Sequence, residues 1–244
     1  MRFRKIIASA LAAATLALSG CSSDLPDLLL SDLIGGGVSS GTADADTLRF
    51  AVENVEYLPV SDKVDNGTYN RAEFGPAWTD KHDAQYGGNG CDTRNDILAR
   101  DLSSVRYGDN KNCVVVTGVL EEDPYTGRTI NFRRGVSTSS AVQIDHIVSL
   151  KDAWLSGADN LTYAERVRFA NDPINLLASD GPENMSKGAK AADTWLVPEN
   201  PAYRCAYVAQ QVLVKSNYQL SVSESEKRAM VNTLSSCSTA SAQS

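Results

Sequence analysis

Histidine is scarce in this chain: of its 244 residues, only His82 and His146 are histidines. A zinc site built on several histidines is therefore excluded, and any imidazole chemistry has to use one of these two. No apolar run reaches the roughly 18 to 20 residues of a spanning helix, which excludes a multi-span membrane protein. With 42% hydrophobic and 22% charged residues, the composition is that of one globular domain or at most two small ones.

Positive charge is also in short supply. The chain has 23 Lys and Arg residues against 30 Asp and Glu residues, a net charge of −7. Without its first 20 residues, which carry three basic residues and no acidic one, it has 20 basic and 30 acidic residues, a net charge of −10. Tight non-specific nucleic-acid binding depends on neutralising phosphates, so the overall charge argues against it. Any nucleic-acid activity must come from a local site, where a metal cation supplies positive charge.

The N-terminus has the pattern of an export signal. Three basic residues precede a short apolar stretch, Ile6–Leu18, which is too short for a permanent membrane span. The sequence Leu18–Cys21 resembles a bacterial lipobox, which predicts that residues 1–20 are a lipoprotein signal peptide and that Cys21 carries the lipid. The expected location is the outer face of the cell membrane. An ordinary signal peptide and secretion is the alternative.

Residues 21–46 are predicted to be a flexible tether, because they are rich in Gly, Ser and Asp and show no sustained period. The folded domain is then expected over residues 47–244. Its apolar residues partly alternate from Leu48 to Val60, which predicts a strand and an N-terminal β-containing subdomain. A capped helix is expected over Thr93–Leu102, and a hairpin is expected around Asp123–Gly127.

The second half of the domain alternates between short strands and helices. Strands are predicted over 142–147 and 175–178, and helices over 149–156, over 162–170 and from Glu183. Two C-terminal helices follow, one with an apolar face at Cys205 and one with such a face at Cys237. Ser221 and Glu224 have the spacing of a capping box at the start of the second helix.

The cysteines agree with export. Apart from Cys21 there are four, and none belongs to the CxxC spacing typical of a thiolate metal site. An even number in an oxidising compartment indicates disulfides, for which three connectivities are possible. Cys91–Cys113 and Cys205–Cys237 are favoured because each pair brackets one local structural unit. Four buried free thiols are the alternative.

The residues that carry chemistry lie between 145 and 187. Asp145 and Asn184 offer hard oxygen ligands, which suit Mg²⁺, Mn²⁺ or Ca²⁺. A neutral imidazole at His146, beside such a cation, is a good general base near neutral pH. Lys187 lies one helical turn after Asn184 and is placed to meet a substrate phosphate. Metal, base and phosphate-binding cation are the parts of metal-assisted phosphodiester hydrolysis.

These residues also resemble a known family. The sequence Asp145-His146-Ile147-Val148, followed by Asn175 after 29 residues and by Asn184 after nine more, is similar to the ββα-metal core of HNH endonucleases. Further similarity over about residues 66–220 is to secreted actinobacterial HNH proteins, which are related to the C-terminal nuclease domain of GmrSD-type restriction enzymes. Ser149 departs from this pattern, since many relatives have Pro there.

The resemblance implies a role for each matching residue. His146 would activate the attacking water, and Asp145 and Asn184 would bind one divalent metal, Mg²⁺ or Mn²⁺. Asn175 would hold the loop that carries the base. Lys187 is a candidate for a phosphate contact.

Arg94 is a second candidate for a phosphate contact, and the alternative for it is an ion pair with Asp92 or Asp96. The fold implied is α+β, with a metal core at about residues 142–190, the N-terminal subdomain and the C-terminal helices.

The predicted function is a metal-dependent endonuclease that hydrolyses DNA, with RNA as a further candidate substrate. No recognition helix or arginine-rich stripe is visible, so low sequence specificity is expected. Nucleic acid and, through Cys21, the membrane are the predicted partners, and no obligate protein partner is indicated. Two alternatives stay open: a non-catalytic envelope lipoprotein that uses the scaffold as a binding module, and a phosphodiesterase that acts on a different substrate.

Overall fold

The computed structural model describes residues 45–108 and 113–241, with side chains up to residue 237. The predicted signal peptide, Cys21 and nearly all of the predicted tether lie outside these residues. In the part described, the helices are α1 (Ala45–Asn54), α2 (Thr93–Asp101), α3 (Leu150–Leu155), α4 (Tyr163–Asn171), α5 (Gly181–Lys187), α6 (Arg204–Asn217) and α7 (Glu224–Ser241). The strands are β1 (Ser103–Tyr107), β2 (Val115–Leu120), β3 (Ile130–Arg133), β4 (Val142–His146) and β5 (Leu176–Asp180). No described helix is long and apolar enough to cross a membrane.

The strand predicted over Leu48–Val60 is wrong, because this segment begins as helix α1. Leu48, Ala51 and Val55 are spaced by three and four residues, which places them on one face of a helix. Ala51 and Val55 are buried in an apolar cluster with residues of α6, and Leu48 packs against that cluster. The partial alternation was therefore the weaker of two periodicities, and packing against α6 selected the helix.

The hairpin predicted around Asp123–Gly127 is confirmed. β2 pairs with β3 in antiparallel register, and β1 adds to the other edge of β2 to give the order β1-β2-β3. Gly118 faces Phe132 across the hairpin, and a Cβ atom at Gly118 would lie 2.8 Å from Leu102 Cδ1. Glycine is required there because the chain that enters β1 packs directly on β2.

The three-stranded sheet precedes β4 in the chain, where the sequence predicted a β-containing subdomain, and it shares its core with β4 and β5. Its buried residues form one apolar cluster with α2 and with the β4-β5 hairpin. The cluster comprises Ile97, Leu98, Leu102, Val115, Leu120, Phe132, Val142, Ile144, Leu176 and Ala178. One continuous core therefore joins the three-stranded sheet to the β4-β5 pair, which carries Asp145 and His146.

The unit β4-β5-α5 follows the predicted order. β4 and β5 pair antiparallel from Val142 opposite Asp180 to His146 opposite Leu176. The Asp180 side chain accepts a hydrogen bond from the Glu183 amide and caps α5. Ser149, the position at which many relatives have Pro, likewise caps α3 by accepting from the Asp152 amide. The substitution therefore supplies a helix cap.

Both favoured disulfides are present, Cys91–Cys113 and Cys205–Cys237. The second one joins α6 to α7, the two C-terminal helices that the sequence predicted. The capping box of α7 lies two residues later than expected. Ser223 Oγ accepts from the Glu226 amide, and the Glu226 carboxylate accepts from the Ser223 amide.

A buried network of four charged groups ties the C-terminal helices to the rest of the domain. The ammonium group of Lys215 lies 3.0 Å from the Asp152 carboxylate and 2.9 Å from that of Glu226. Lys63 contacts the same two carboxylates. Burial opposes the ionisation of Asp152, but Lys215 and Lys63 outweigh it and hold its pKa below the ordinary value. Two cations thus balance two anions, and Lys63 is the group of the four that keeps the most contact with solvent.

We expect Lys215→Met to lower the free energy of unfolding by about 3–5 kcal/mol, because it leaves two buried carboxylates with Lys63 as the one remaining cation of the network. The measurement is denaturant unfolding with both disulfides intact. Lys81→Met is the matched control, since Lys81 is exposed, and it should change stability by less than about 0.5 kcal/mol. Equal stability of the two variants would show that the network contributes nothing.

Candidate active site

The candidate site lies at the end of β4, where Asp145 and His146 are the last two residues of the strand. Successive side chains of a strand point to opposite faces, so these two have different surroundings. Both nevertheless line one cavity of about 550 Å³, because the strand ends there. Asn184 of α5 lines the same cavity.

Asp145 is held by two groups that are themselves buried. Lys187 Nζ lies 3.0 Å from its Oδ1 and 2.9 Å from its Oδ2, and the hydroxyl of Tyr125 donates to Oδ2. Tyr125 reaches this position from the β2-β3 turn. That turn is anchored by Asp123, which accepts from the Thr126 amide and from the Asp180 amide at the end of β5.

Burial sets the ionisation of this group of side chains. It raises the pKa of Asp145 above its ordinary value, and the ammonium of Lys187 and the hydroxyl of Tyr125 oppose that rise. Burial also raises the pKa of Tyr125 well above 10, with the Asp145 charge acting in the same direction. Tyr125 therefore stays a hydrogen-bond donor, and Lys187 supplies the charge that allows Asp145 to ionise.

His146 has a neutral imidazole of defined tautomer. Its Nε2 lies 2.9 Å from the carbonyl oxygen of Ala170, which only accepts, so Nε2 carries the proton and Nδ1 keeps the lone pair. The ring of Trp78 stacks on the imidazole at 5.4 Å, with 12° between the planes. Burial lowers the pKa of His146 to about 3, and Arg71 and Lys187 contribute in the same direction. An unprotonated ring nitrogen is thus present throughout the neutral range.

Asn175 and Asn184 orient the two sides of the site. The Asn175 side chain accepts from the Val148 amide at 2.8 Å and donates to the Val148 carbonyl at 3.2 Å, which holds the segment after His146. Asn184 Nδ2 donates to the side-chain oxygen of Gln143 at 2.9 Å. Its Oδ1 accepts no hydrogen bond from the described part of the chain.

Three cationic side chains contribute to the cavity wall. Arg71, Arg94 and Lys151 line it together with Asp145, whose charge is already paired with Lys187. Arg94 does not pair with Asp92 or Asp96. It donates instead to the carbonyls of Ser139 and Val142, at 3.4 and 3.1 Å. Because carbonyls carry no net charge, the guanidinium keeps its positive charge for a ligand in the cavity.

Lys187 is placed differently from the expectation of a phosphate contact. It is fully buried and does not line the cavity. Besides Asp145, its ammonium donates to the carbonyl oxygen of His146 at 2.8 Å. All three of its donors are used inside the protein, so Lys187 supports the site from behind. The cations that do face the cavity are Arg71, Arg94 and Lys151.

Four contributors were not identified from the sequence. Arg71, Trp78, Tyr125 and Lys151 reach the site from other segments of the chain. Tyr125 lies in the turn of the predicted Asp123–Gly127 hairpin, and this was the only sequence signal near it. The other three carried no local pattern that distinguished them from surface or packing residues.

The donor set fits one hard divalent cation held by few protein ligands. A carboxylate has about four acceptor positions, and Lys187 and Tyr125 take three of those on Asp145, which leaves one on Oδ1. The Oδ1 of Asn184 completes the set. No group of three or more His, Cys, Asp or Glu side chains that could hold a metal exists among the described residues. Mg²⁺ suits such a site, since it commonly combines one or two carboxylates with substrate phosphates.

Comparison with known proteins identifies the family of the chain. The family model "GmrSD restriction endonucleases, C-terminal domain" matches residues 92–233, more than half of the chain. The match indicates a nuclease-like domain of the HNH type. The chain belongs to this family of GmrSD C-terminal domains.

One curated relative comes from a fungus. It is an "Uncharacterized secreted protein" of Arthroderma benhamiae, 36% identical over 149 residues, which are 60% of this chain and 68% of the relative. The relative is thus fungal and not actinobacterial. Its secretion and the two disulfides fit an extracellular protein. No solved structure matches the chain.

We expect the imidazole of His146 to stay neutral, with its proton on Nε2, over roughly pH 5 to 8. The measurement is an NMR titration of the two histidines, with His146→Asn to assign them. Because burial lowers its folded-state pKa to about 3, below the unfolded value, its contribution to stability is present above about pH 6.5 and is lost as the pH falls towards 3. A midpoint near pH 6.5 for the His146 resonances would contradict this environment.

Proposed function

We propose that the protein is a metal-dependent endonuclease of the HNH type, with β4, β5 and α5 as its ββα-metal core. The carrying observation is that a neutral His146, the Asp145 carboxylate and the Asn184 amide line one cavity that three cationic side chains also line. A base, oxygen ligands for a divalent cation and positive charge for a phosphodiester are the parts that this hydrolysis needs.

His146 is the general base in this proposal. Its Nδ1 accepts the proton of a water molecule that attacks the scissile phosphorus. The Ala170 carbonyl holds the other ring nitrogen, and stacking on Trp78 fixes the ring plane. Burial keeps Nδ1 unprotonated at neutral pH but also makes it a weaker base, and the hydrogen bond to the Ala170 carbonyl opposes this by stabilising the imidazolium that forms. Asn175 keeps the segment after His146 in place and acts as a positioning residue.

Asp145 and Asn184 would hold one Mg²⁺ or Mn²⁺ ion. When bound, this ion stabilises negative charge on the phosphate and on the leaving oxygen. Lys187 and Tyr125 fix the direction of the Asp145 carboxylate from its buried side. Arg71 and Arg94 bind the non-bridging phosphate oxygens from the cavity wall. The expected products carry 5′-phosphate and 3′-hydroxyl ends.

DNA is the proposed substrate, and single-stranded RNA is the second candidate. The cavity offers charge and little that reads base edges, so we propose low sequence specificity. The proposed location is outside the cell, with the lipid on Cys21 as an anchor to the outer face of the membrane. This rests on the lipobox-like sequence and fits the two disulfides.

The test is cleavage of supercoiled plasmid and of single-stranded RNA by the purified protein in Mg²⁺, in Mn²⁺ and in EDTA. We expect cleavage only with metal, and a loss of about 10²–10⁴-fold in His146→Ala, because removing a general base costs this much. The polymer that is cleaved faster identifies the substrate. His82→Gln is the matched control, since His82 does not line the cavity, and it should cleave at close to the wild-type rate.

Two results would contradict the proposal. Cleavage by His146→Ala at the wild-type rate would remove His146 as the base. A folded protein that binds no divalent metal and cleaves neither polymer would favour the non-catalytic binding module.

A further inference from the structure

A second cavity adjoins the candidate active site. It measures about 490 Å³ and its wall includes Met185 and Lys190. Lys151, Gly188 and Ala189 line both this cavity and the one that holds His146. The two spaces are therefore neighbouring parts of one groove that passes over the end of α5.

No bulky side chain separates the two cavities at their junction, because the residues there are small. Gly188 ends α5 with a positive φ of +55°, which residues with a side chain rarely adopt. Ala189 follows it and is exposed. A residue pair of this kind lets the backbone of a ligand approach the protein closely. An extended ligand can thus continue from the first cavity into the second.

Cationic side chains line both cavities, against one carboxylate in each, Asp145 in the first and Asp65 in the second. Lys190 is exposed, and its ammonium donates to the Ser186 carbonyl at 2.7 Å. No carboxylate lies within ion-pair distance of it in the part of the chain that is described. Lys151 at the junction forms an ion pair with Asp65, with 2.6 Å between the ammonium nitrogen and the carboxylate oxygen. Together with Arg71 and Arg94 of the first cavity, these lysines form a cationic track on an acidic protein.

We infer that the second cavity is a subsite for the sugar-phosphate backbone beside the scissile bond, with Lys190 and Lys151 contacting the flanking phosphates. This rests on the proposed nuclease function and narrows it: the preferred substrate is a polymer, and a small phosphodiester fills the first cavity alone. Met185, which is 67% exposed on the same wall, offers an apolar contact to a sugar or a base.

The test compares Lys190→Gln with wild type on two probes. The first is a labelled single-stranded oligonucleotide, whose binding is followed by fluorescence anisotropy in EDTA over a range of salt. The second is bis(p-nitrophenyl) phosphate, whose hydrolysis is followed with Mn²⁺. We expect several-fold weaker oligonucleotide binding and a slope of log Kd against log salt that is smaller by about 0.7, the value for one phosphate contact on a single strand. Hydrolysis of the small diester should be unchanged.

Two further variants make the comparison specific. Lys190→Arg keeps the charge and should bind the oligonucleotide as wild type does. Lys81→Gln removes a charge from an exposed position outside the groove and should leave the affinity and the salt slope as they are.

The remaining outcomes test the subsite and the nuclease proposal separately. If Lys190→Gln behaves like Lys81→Gln, or slows the small diester as much as it weakens oligonucleotide binding, the subsite is overturned. An absence of oligonucleotide binding by wild type overturns it as well. If Lys190→Gln weakens oligonucleotide binding as expected while wild type, with Mn²⁺, hydrolyses neither the oligonucleotide nor the small diester, the subsite is supported and the nuclease proposal is overturned.

Discussion

The buried ion pair between Lys187 and Asp145 is the constraint on which the site depends. A carboxylate without solvent is stable only with a compensating charge and hydrogen bonds, and here one ammonium and one phenol supply them. The same ammonium binds the His146 carbonyl, so a single side chain joins the last turn of α5 to the last two residues of β4. Asp145, the proposed metal ligand, and His146, the proposed base, are thereby held in one rigid unit.

The distribution of charge matters more for this protein than its sum. A net charge of −7 argues against a general affinity for nucleic acid. The fold nevertheless brings Arg71, Arg94 and Lys151 from three segments to one cavity. The carboxylate that lines this cavity, Asp145, is paired with the buried ammonium of Lys187. Local electrostatics near a low-dielectric wall can therefore attract a polyanion that the surface as a whole repels. In the proposed function, the cationic side chains of the groove direct such a ligand to the site.

Much of the local structure was predictable because it depends on neighbouring residues. The antiparallel β4-β5 pair, the helices between its two strands and helix α5 follow from periodicity and caps, and both disulfides follow from the elements they bracket. Helix α1 was missed because two periodicities competed over Leu48–Val60, and packing against α6 decided between them. The α7 cap was displaced to Ser223, since two serines at this helix start compete for the same role.

The sequence by itself determined which groups exist at the site: one available imidazole, a neighbouring carboxylate, and two amides and a lysine in the order of a known family. Tertiary structure decided what each of them does. Lys187 turned inward because Asp145 is buried and needs a counter-charge, and exposed cations from distant segments took the outward position. Tyr125 and Trp78 meet Asp145 and His146 only through packing of the whole domain. Such contacts depend on which elements share a core, and no local pattern encodes that.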